Sequence, residues 1–178
     1  MKKINYILLI PTLFLLVYCK KDPKIVLESE NKIFETVFLN IVDSTYKDGR
    51  LYLKEFPNGT AIETRIAELK KDTSKLVFAI DIEKYKIDLK KYNNKKFTFK
   101  DISEFPRGNR YEIWETKYDF EFAGALYFST IKFDKQRKNG ILKVSYGCGT
   151  KCGWGYQVFI KKNGQNWFVE KVTVINMS

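Results

Sequence analysis

The sequence predicts the α+β fold class, with N-terminal helices packed on a C-terminal antiparallel β-meander. Apolar residues in the N-terminal part recur mainly at the helical period, whereas from about residue 111 aromatic and β-branched runs are separated by turn residues. Helices that precede strands, rather than alternate with them, are typical of this class. No internal repeat or second-domain boundary is visible, so we expect residues 30–178 to form a single α+β domain.

Residues 1–18 have the features of an export signal. A pair of lysines gives a positive start, and residues 7–17 form an apolar stretch too short to cross a bilayer, which takes about 20 residues. The segment resembles the signal peptide of bacterial lipoproteins, with Leu16 matching that pattern and Tyr18 standing where a small residue is usual. The resemblance implies cleavage before Cys19 and acylation of that cysteine, palmitate included.

Residues 19–29 would then form the lipidated cysteine and a short charged tether that contains Pro23. The expected location is the bacterial cell envelope, where the protein would be a membrane-anchored lipoprotein facing the periplasm or the surface. An ordinary cleaved signal and an uncleaved anchor are the two alternatives.

Residues 33–42 carry the clearest helical pattern. Ser29 is the expected N-cap, and Asp48-Gly49 is the expected stop. A broad apolar stripe at this period predicts burial in the core, although a face that docks a partner would have the same pattern. The stripe consists of Ile33, Phe34, Val37, Phe38, Ile41 and Val42.

Four shorter segments follow this helix. Residues 51–56 alternate like a strand, and residues 60–71 combine a capping box with apolar positions at helical spacing. Residues 76–82 fit either a strand or a buried helix, and residues 81–94 are predicted to form a short helix. Turn chemistry is expected at Asn93-Asn94 and at Pro106-Arg107-Gly108-Asn109.

The C-terminal part is predicted to be mainly β-structure. Asn163-Gly164 lies between two apolar runs and is the strongest hairpin signal in the chain. Lys138-Asn139-Gly140 marks another turn. The expected strands are residues 111–114, 125–133, 141–146, 154–161 and 167–175.

Charge and composition exclude several functions. The formal net charge is +11, and loss of residues 1–18 would lower it to +9. Lys outnumbers Arg 27 to 5, and acids lie between the lysines, a pattern of solvated surface rather than of nucleic-acid recognition. Histidine is absent, which excludes Ser-His-Asp and Cys-His catalysis and His-ligated zinc.

Residues 147–155 stand apart because they contain four glycines and two cysteines. Cys148 and Cys152 lie across a glycine-rich turn, and in an oxidising envelope they are the only thiols left once Cys19 is acylated. We therefore predict a structural disulfide. A redox pair and a metal site are the alternatives, although redox motifs usually have two intervening residues and two thiolates supply only half of a tetrahedral shell.

The C-terminal region resembles part of a group of uncharacterised bacterial envelope proteins. These share a "FS.(I/V).F(N/D)" strand, a "CG..CG.G" turn and a "K.NG.W" hairpin, to which residues 126–134, 148–155 and 162–167 correspond here. Asp134 stands where such proteins often have Asn. The resemblance covers about a third of the chain and implies a shared β-scaffold, with no established activity and no catalytic residue to transfer.

Paired carboxylates are the remaining route to catalysis, since glycoside hydrolysis needs only two of them. Asp119 and Glu121 would share one face of a strand, and Glu112 and Glu115 lie nearby in the sequence. Surface charge explains such pairs as well. The aromatic residues that could stack on a sugar are Trp114, Phe120 and Phe122.

We therefore expect a lipid-anchored envelope protein that acts as a non-enzymatic binding or structural module. The alternatives are an envelope-acting hydrolase with paired carboxylates, and an inhibitor or immunity-type lipoprotein. The sequence predicts no catalytic residue, cofactor or metal site. The expected partners are the membrane, through the lipid on Cys19, and an envelope protein or anionic polysaccharide, but no nucleic acid.

Overall fold

A long helix followed by a seven-stranded mixed sheet forms the described part of this chain. The computed structural model describes residues 23–48, 75–109 and 111–177. The predicted strand at 51–56, the predicted helix at 60–71 and the export signal with Cys19 lie outside the described residues. The protein has the α+β class that the sequence predicts, with a β-rich C-terminal region.

Helix α1 runs from Pro23 to Thr45. It therefore begins within the expected tether, and the predicted cap at Ser29 is wrong. Proline suits the first turn of a helix because its φ is fixed and its missing N–H would have no intrahelical partner there. Among the described residues, no helix is both long and apolar enough to cross a bilayer.

The sheet combines parallel and antiparallel pairing. Its order is β2-β1-β3-β5-β6-β7, with β4 also paired to β5. Strand β1 pairs in parallel with β2 and β3, whereas β3, β5, β6 and β7 pair antiparallel in that order. The strands are β1 (Leu76–Ile82), β2 (Phe97–Asp101), β3 (Glu121–Phe128), β4 (Lys132–Phe133), β5 (Asn139–Gly149), β6 (Cys152–Asn163) and β7 (Asn166–Met177).

Two further local expectations are wrong. Only Leu89–Tyr92 of the expected helix at 81–94 is helical, as a single 3-10 turn. The expected strand at 111–114 is instead a short helix, α2, at Glu112–Glu115. Asn109 explains this difference, because its side-chain oxygen accepts hydrogen bonds from the backbone N–H groups of Tyr111 at 2.7 Å and Glu112 at 3.0 Å and so starts a helical turn.

The core lies on both faces of the sheet. The apolar stripe of α1 is buried as expected, with Phe34, Val37, Phe38 and Ile41 at 0% exposure. Its rings reach the sheet: the Phe34 and Phe128 centroids are 5.5 Å apart, and those of Phe38 and Phe99 are 5.2 Å apart. On the opposite face, a smaller buried cluster contains Val77, Ala79, Phe105, Ile113 and Ala125.

Candidate functional site: a basic groove beside helix α1

A groove of about 590 Å³ lies between α1, the β4–β5 turn and the tip of the β6–β7 hairpin. We call it the basic groove, because four of its lining residues are cationic and none of the described residues that line it is acidic. The cations come from three separate segments of the chain. They are Lys32, Lys135, Arg137 and Lys162.

Arg137 is the most firmly held of these cations. Both of its terminal guanidinium nitrogens donate hydrogen bonds to one oxygen of Glu30, each at 3.2 Å, and its guanidinium carbon lies 4.3 Å from the ring centroid of Phe133. Its backbone is in the left-handed region, with φ at 52°. The guanidinium is thus fixed at the groove before any ligand arrives.

Glu30 is buried, with 6% exposure, and serves two cations at once. Its second oxygen accepts from the Lys84 ammonium at 3.2 Å, while the first accepts from Arg137. One carboxylate therefore faces two positive charges, so this cluster keeps an excess of one positive charge beside the groove. The cluster also links α1 to the segment after β1, through Lys84, and to the β4–β5 turn, through Arg137.

The β4–β5 turn positions Lys135 and Arg137. The backbone N–H of Lys138 donates to the Asp134 carboxylate at 2.9 Å, and the Asn139 side-chain amide donates to it at 2.7 Å. These hydrogen bonds hold the pKa of the Asp134 carboxyl below its usual range, and the bond from Lys138 has the largest effect. The carboxylate thus stays ionised and bonded to its own turn under ordinary conditions.

The β6–β7 hairpin supplies the other wall. Gly164 has φ of 60°, which suits a residue without a side chain, and the turn is the predicted Asn163-Gly164 hairpin. Lys162 pairs across the hairpin with Trp167. The indole is 8% exposed and forms part of the lining with Ile33, which gives the groove an apolar component.

The predicted cysteine pair lies where β5 ends and β6 begins, whereas the groove lies near the start of β5 and the end of β6. Cys148 and Cys152 lie at disulfide distance, with their Cα atoms 5.1 Å apart, across the β5–β6 hairpin. Cys148 packs against the main core cluster, and Cys152 is exposed. A β-hairpin offers neither thiol the helix N-terminus that activates redox cysteines.

We expect the Cys148→Ser/Cys152→Ser double variant to be less stable by about 2 kcal/mol, because a disulfide across so short a loop restricts the unfolded chain only modestly. Chemical denaturation of oxidised protein and variant measures this difference. Thiol titration of unfolded, unreduced protein that finds both residues free would contradict the disulfide.

The carboxylates considered as an alternative route to catalysis are only partly brought together. Asp119 and Glu121 are both exposed and line a hollow of about 580 Å³ with Phe120. Glu112 lies elsewhere, on α2, where it accepts a hydrogen bond from the Gly108 backbone N–H. Glu115 is also on α2, and neither residue is among the described lining of this hollow.

The aromatics that could stack on a sugar in the hydrolase alternative have other contacts. The rings of Trp114 and Phe122 lie 5.5 Å apart and pack against the smaller core cluster. Phe120 stacks on Tyr118 at 4.8 Å, and the Lys100 ammonium lies 5.0 Å from its centroid. Of the three aromatics, only Phe120 therefore accompanies the carboxylate pair.

No combination of three or more Cys, Asp or Glu residues within 23–48, 75–109 and 111–177 is placed to hold a metal ion. Comparison with known proteins finds no family model, no curated protein and no solved structure that matches this chain. Function is therefore inferred from the chain's own residues and their geometry.

Proposed function

We propose that this protein is a lipid-anchored, non-enzymatic binding module of the bacterial cell envelope. The observation that carries the proposal is the short distance in sequence between Cys19 and α1, which begins at Pro23. Four residues span at most about 14 Å when fully extended. An acyl chain on Cys19 would therefore hold a folded domain close to the membrane surface.

The basic groove supports a binding role. Its helical wall, residues 29–36, starts six residues after the first residue of α1, which is about 9 Å along the helix axis. The described residues that line it carry cationic, amide, hydroxyl and apolar side chains. Cations, amides and hydroxyls at such a position suit recognition of an envelope component.

The scaffold proposed for this role is an antiparallel meander of β5, β6 and β7 with α1 packed on it. Two observations support it. The three strands pair antiparallel in chain order, and Phe34 and Phe38 share one buried cluster with Val144, Tyr156 and other residues of these strands. A scaffold of this kind would fix both walls of the groove.

A hydrolase is the second candidate function. It is favoured by the shared hollow of Asp119, Glu121 and Phe120, which places two carboxylates beside one aromatic ring. The Asp119→Asn/Glu121→Gln variant would abolish such an activity and leave binding at the basic groove unchanged.

We expect Cys19→Ser to move the protein from the membrane fraction to the soluble fraction, because the acylated thiol is the proposed anchor. Fractionation of cells followed by immunoblotting measures the change. The control is the Cys148→Ser/Cys152→Ser double variant, which removes the disulfide but keeps Cys19 and should remain membrane-bound. A Cys19→Ser variant that stays fully membrane-bound would mean that residues 1–18 form an uncleaved anchor.

A further inference from the structure

We infer that the basic groove binds an acidic saccharide chain, one whose sugar rings carry carboxylate or phosphate groups. This inference rests on the proposed function, since it names the ligand class of that binding module. The groove has the volume of an ordinary small-molecule site, about 590 Å³.

The cations specify a ligand with several negative charges. Lys32, Lys135 and Lys162 are exposed and project from three different segments, while Arg137 is fixed by Glu30. No described residue of the lining is acidic, and Glu30 is already shared by two cations. An anionic group entering the groove would therefore meet positive charge on both walls.

The remaining lining residues distinguish a saccharide from a simple polyanion. Side-chain amides of Gln136 and Gln165 can each donate to and accept from a sugar hydroxyl. Ser29 and Thr36 add hydroxyls on the helical wall, although the Thr36 hydroxyl already donates to the Lys32 carbonyl at 2.9 Å. Trp167 and Ile33, both mostly buried, present apolar surface to the C–H groups of a sugar ring.

The shape of the groove separates this ligand from a lipid surface. A planar bilayer would contact mainly the exposed lysines, whereas Trp167 and Ile33 of the same lining are 8% and 9% exposed. The concave arrangement of charges, amides and apolar surface therefore favours the saccharide over anionic lipid headgroups.

The direct test is binding of a fluorescent hexamer of galacturonic acid to the mature acylated protein in zwitterionic detergent micelles. We expect saturable binding that weakens as salt is raised, because the lysines are exposed and screened. The fully methyl-esterified hexamer has the same backbone without charge and should bind at least about tenfold more weakly, because it cannot form the charge-assisted contacts.

Paired variants locate the site. Lys32→Gln/Lys162→Gln should weaken binding of the acidic hexamer at least about tenfold, since two charge-assisted contacts are lost. Lys143→Gln/Lys171→Gln removes the same charge from exposed positions on β5 and β7 outside the groove and should change affinity by less than about twofold. All four positions are exposed, so the thermal midpoints of both variants should match the parent protein.

Two further ligands decide between chemistries. The Gln136→Ala/Gln165→Ala variant should bind the acidic hexamer more weakly but bind linear hexaphosphate, which has no sugar hydroxyls, with unchanged affinity. An equal loss of affinity for both ligands, or no loss for either, would mean that the groove is a general polyanion site.

The unacylated Cys19→Ser protein tests the membrane surface as the ligand. If it binds phosphatidylglycerol vesicles more tightly than it binds the hexamer, and this binding depends on Lys32 and Lys162, the groove binds the membrane surface.

The absence of hexamer binding, or equal loss in both lysine pairs, would also overturn the inference. Membrane fractionation of the Lys32→Gln/Lys162→Gln variant distinguishes a failure of the ligand assignment from a failure of the proposed lipid anchor. That variant should remain acylated and membrane-bound, so a failed ligand assignment leaves the lipid anchor standing. A soluble acylated variant would instead show that the groove, not the lipid, holds the protein at the membrane.

Discussion

Replacement of Phe38 by alanine is expected to lower the free energy of unfolding by about 3–5 kcal/mol. Phe38 has 0% exposure, and its ring centroid lies 5.0 Å from that of Tyr92 and 5.6 Å from that of Phe128. Truncation would leave a cavity where α1 meets the strands. Urea denaturation followed by circular dichroism measures the loss.

Phe168→Ala is the matched control for this variant. Phe168 is 37% exposed on β7, so removal of the same ring should cost less than about 1 kcal/mol. Equal losses at the two positions, or a loss at Phe38 below the stated range, would show that the α1 stripe is not the main core.

Gly124→Ala is expected to destabilise the protein by at least about 3 kcal/mol. Gly124 has φ of 126°, which side-chain-bearing residues rarely adopt, and it lies at the register shift between β3 and β1. An added Cβ would collide with the backbone carbonyl of Gly147 on β5, and the Tyr146 ring would be 2.7 Å away. A backbone atom in a paired strand cannot move aside without breaking the β3–β5 ladder.

Gly155→Ala separates this backbone effect from simple crowding. An added Cβ there would also collide with a neighbour, but the neighbour is the side-chain amide of Asn176, which is exposed and can rotate away. We expect a loss of about 1 kcal/mol at Gly155. Comparable losses for the two glycines in the same denaturation assay would contradict the assigned strand contacts at Gly124.

The parts of the fold that follow from local pattern could be predicted from the sequence. The stripe at 33–42 repeats at the helical period, and Asn163-Gly164 suits only a narrow set of hairpin turns. Strand β2 also carries a local signal, because Phe97 and Phe99 alternate with polar residues and are both buried.

Other parts depend on long-range contacts that no local pattern contains. The parallel pairing of β1 with β2 and β3 joins segments separated by intervening chain, and periodicity does not specify a pairing direction. Residues 111–114 have strand-like composition, but the Asn109 side-chain oxygen accepts hydrogen bonds from the backbone N–H groups of Tyr111 and Glu112, at the start of a helical turn. Local hydrogen bonding thus overrode β propensity.

The candidate site shows the same division. The Cys148 and Cys152 pairing was predictable because both cysteines lie across one glycine-rich turn. The basic groove was not, because residues 29–36, 135–137 and 162–167 are far apart in the chain and each lysine alone resembles solvated surface. The β4–β5 turn, the β6–β7 hairpin and the Glu30 cluster bring these charges together in the folded chain.

The intact mass of the protein extracted from membranes tests the proposed lipid anchor most directly. We expect a chain that begins at Cys19 and carries the added mass of acyl groups. Protein from the Cys19→Ser variant should lack the added mass of acyl groups. A membrane-extracted chain that begins at Met1, or one that begins after residue 18 without added mass, would contradict the lipid anchor.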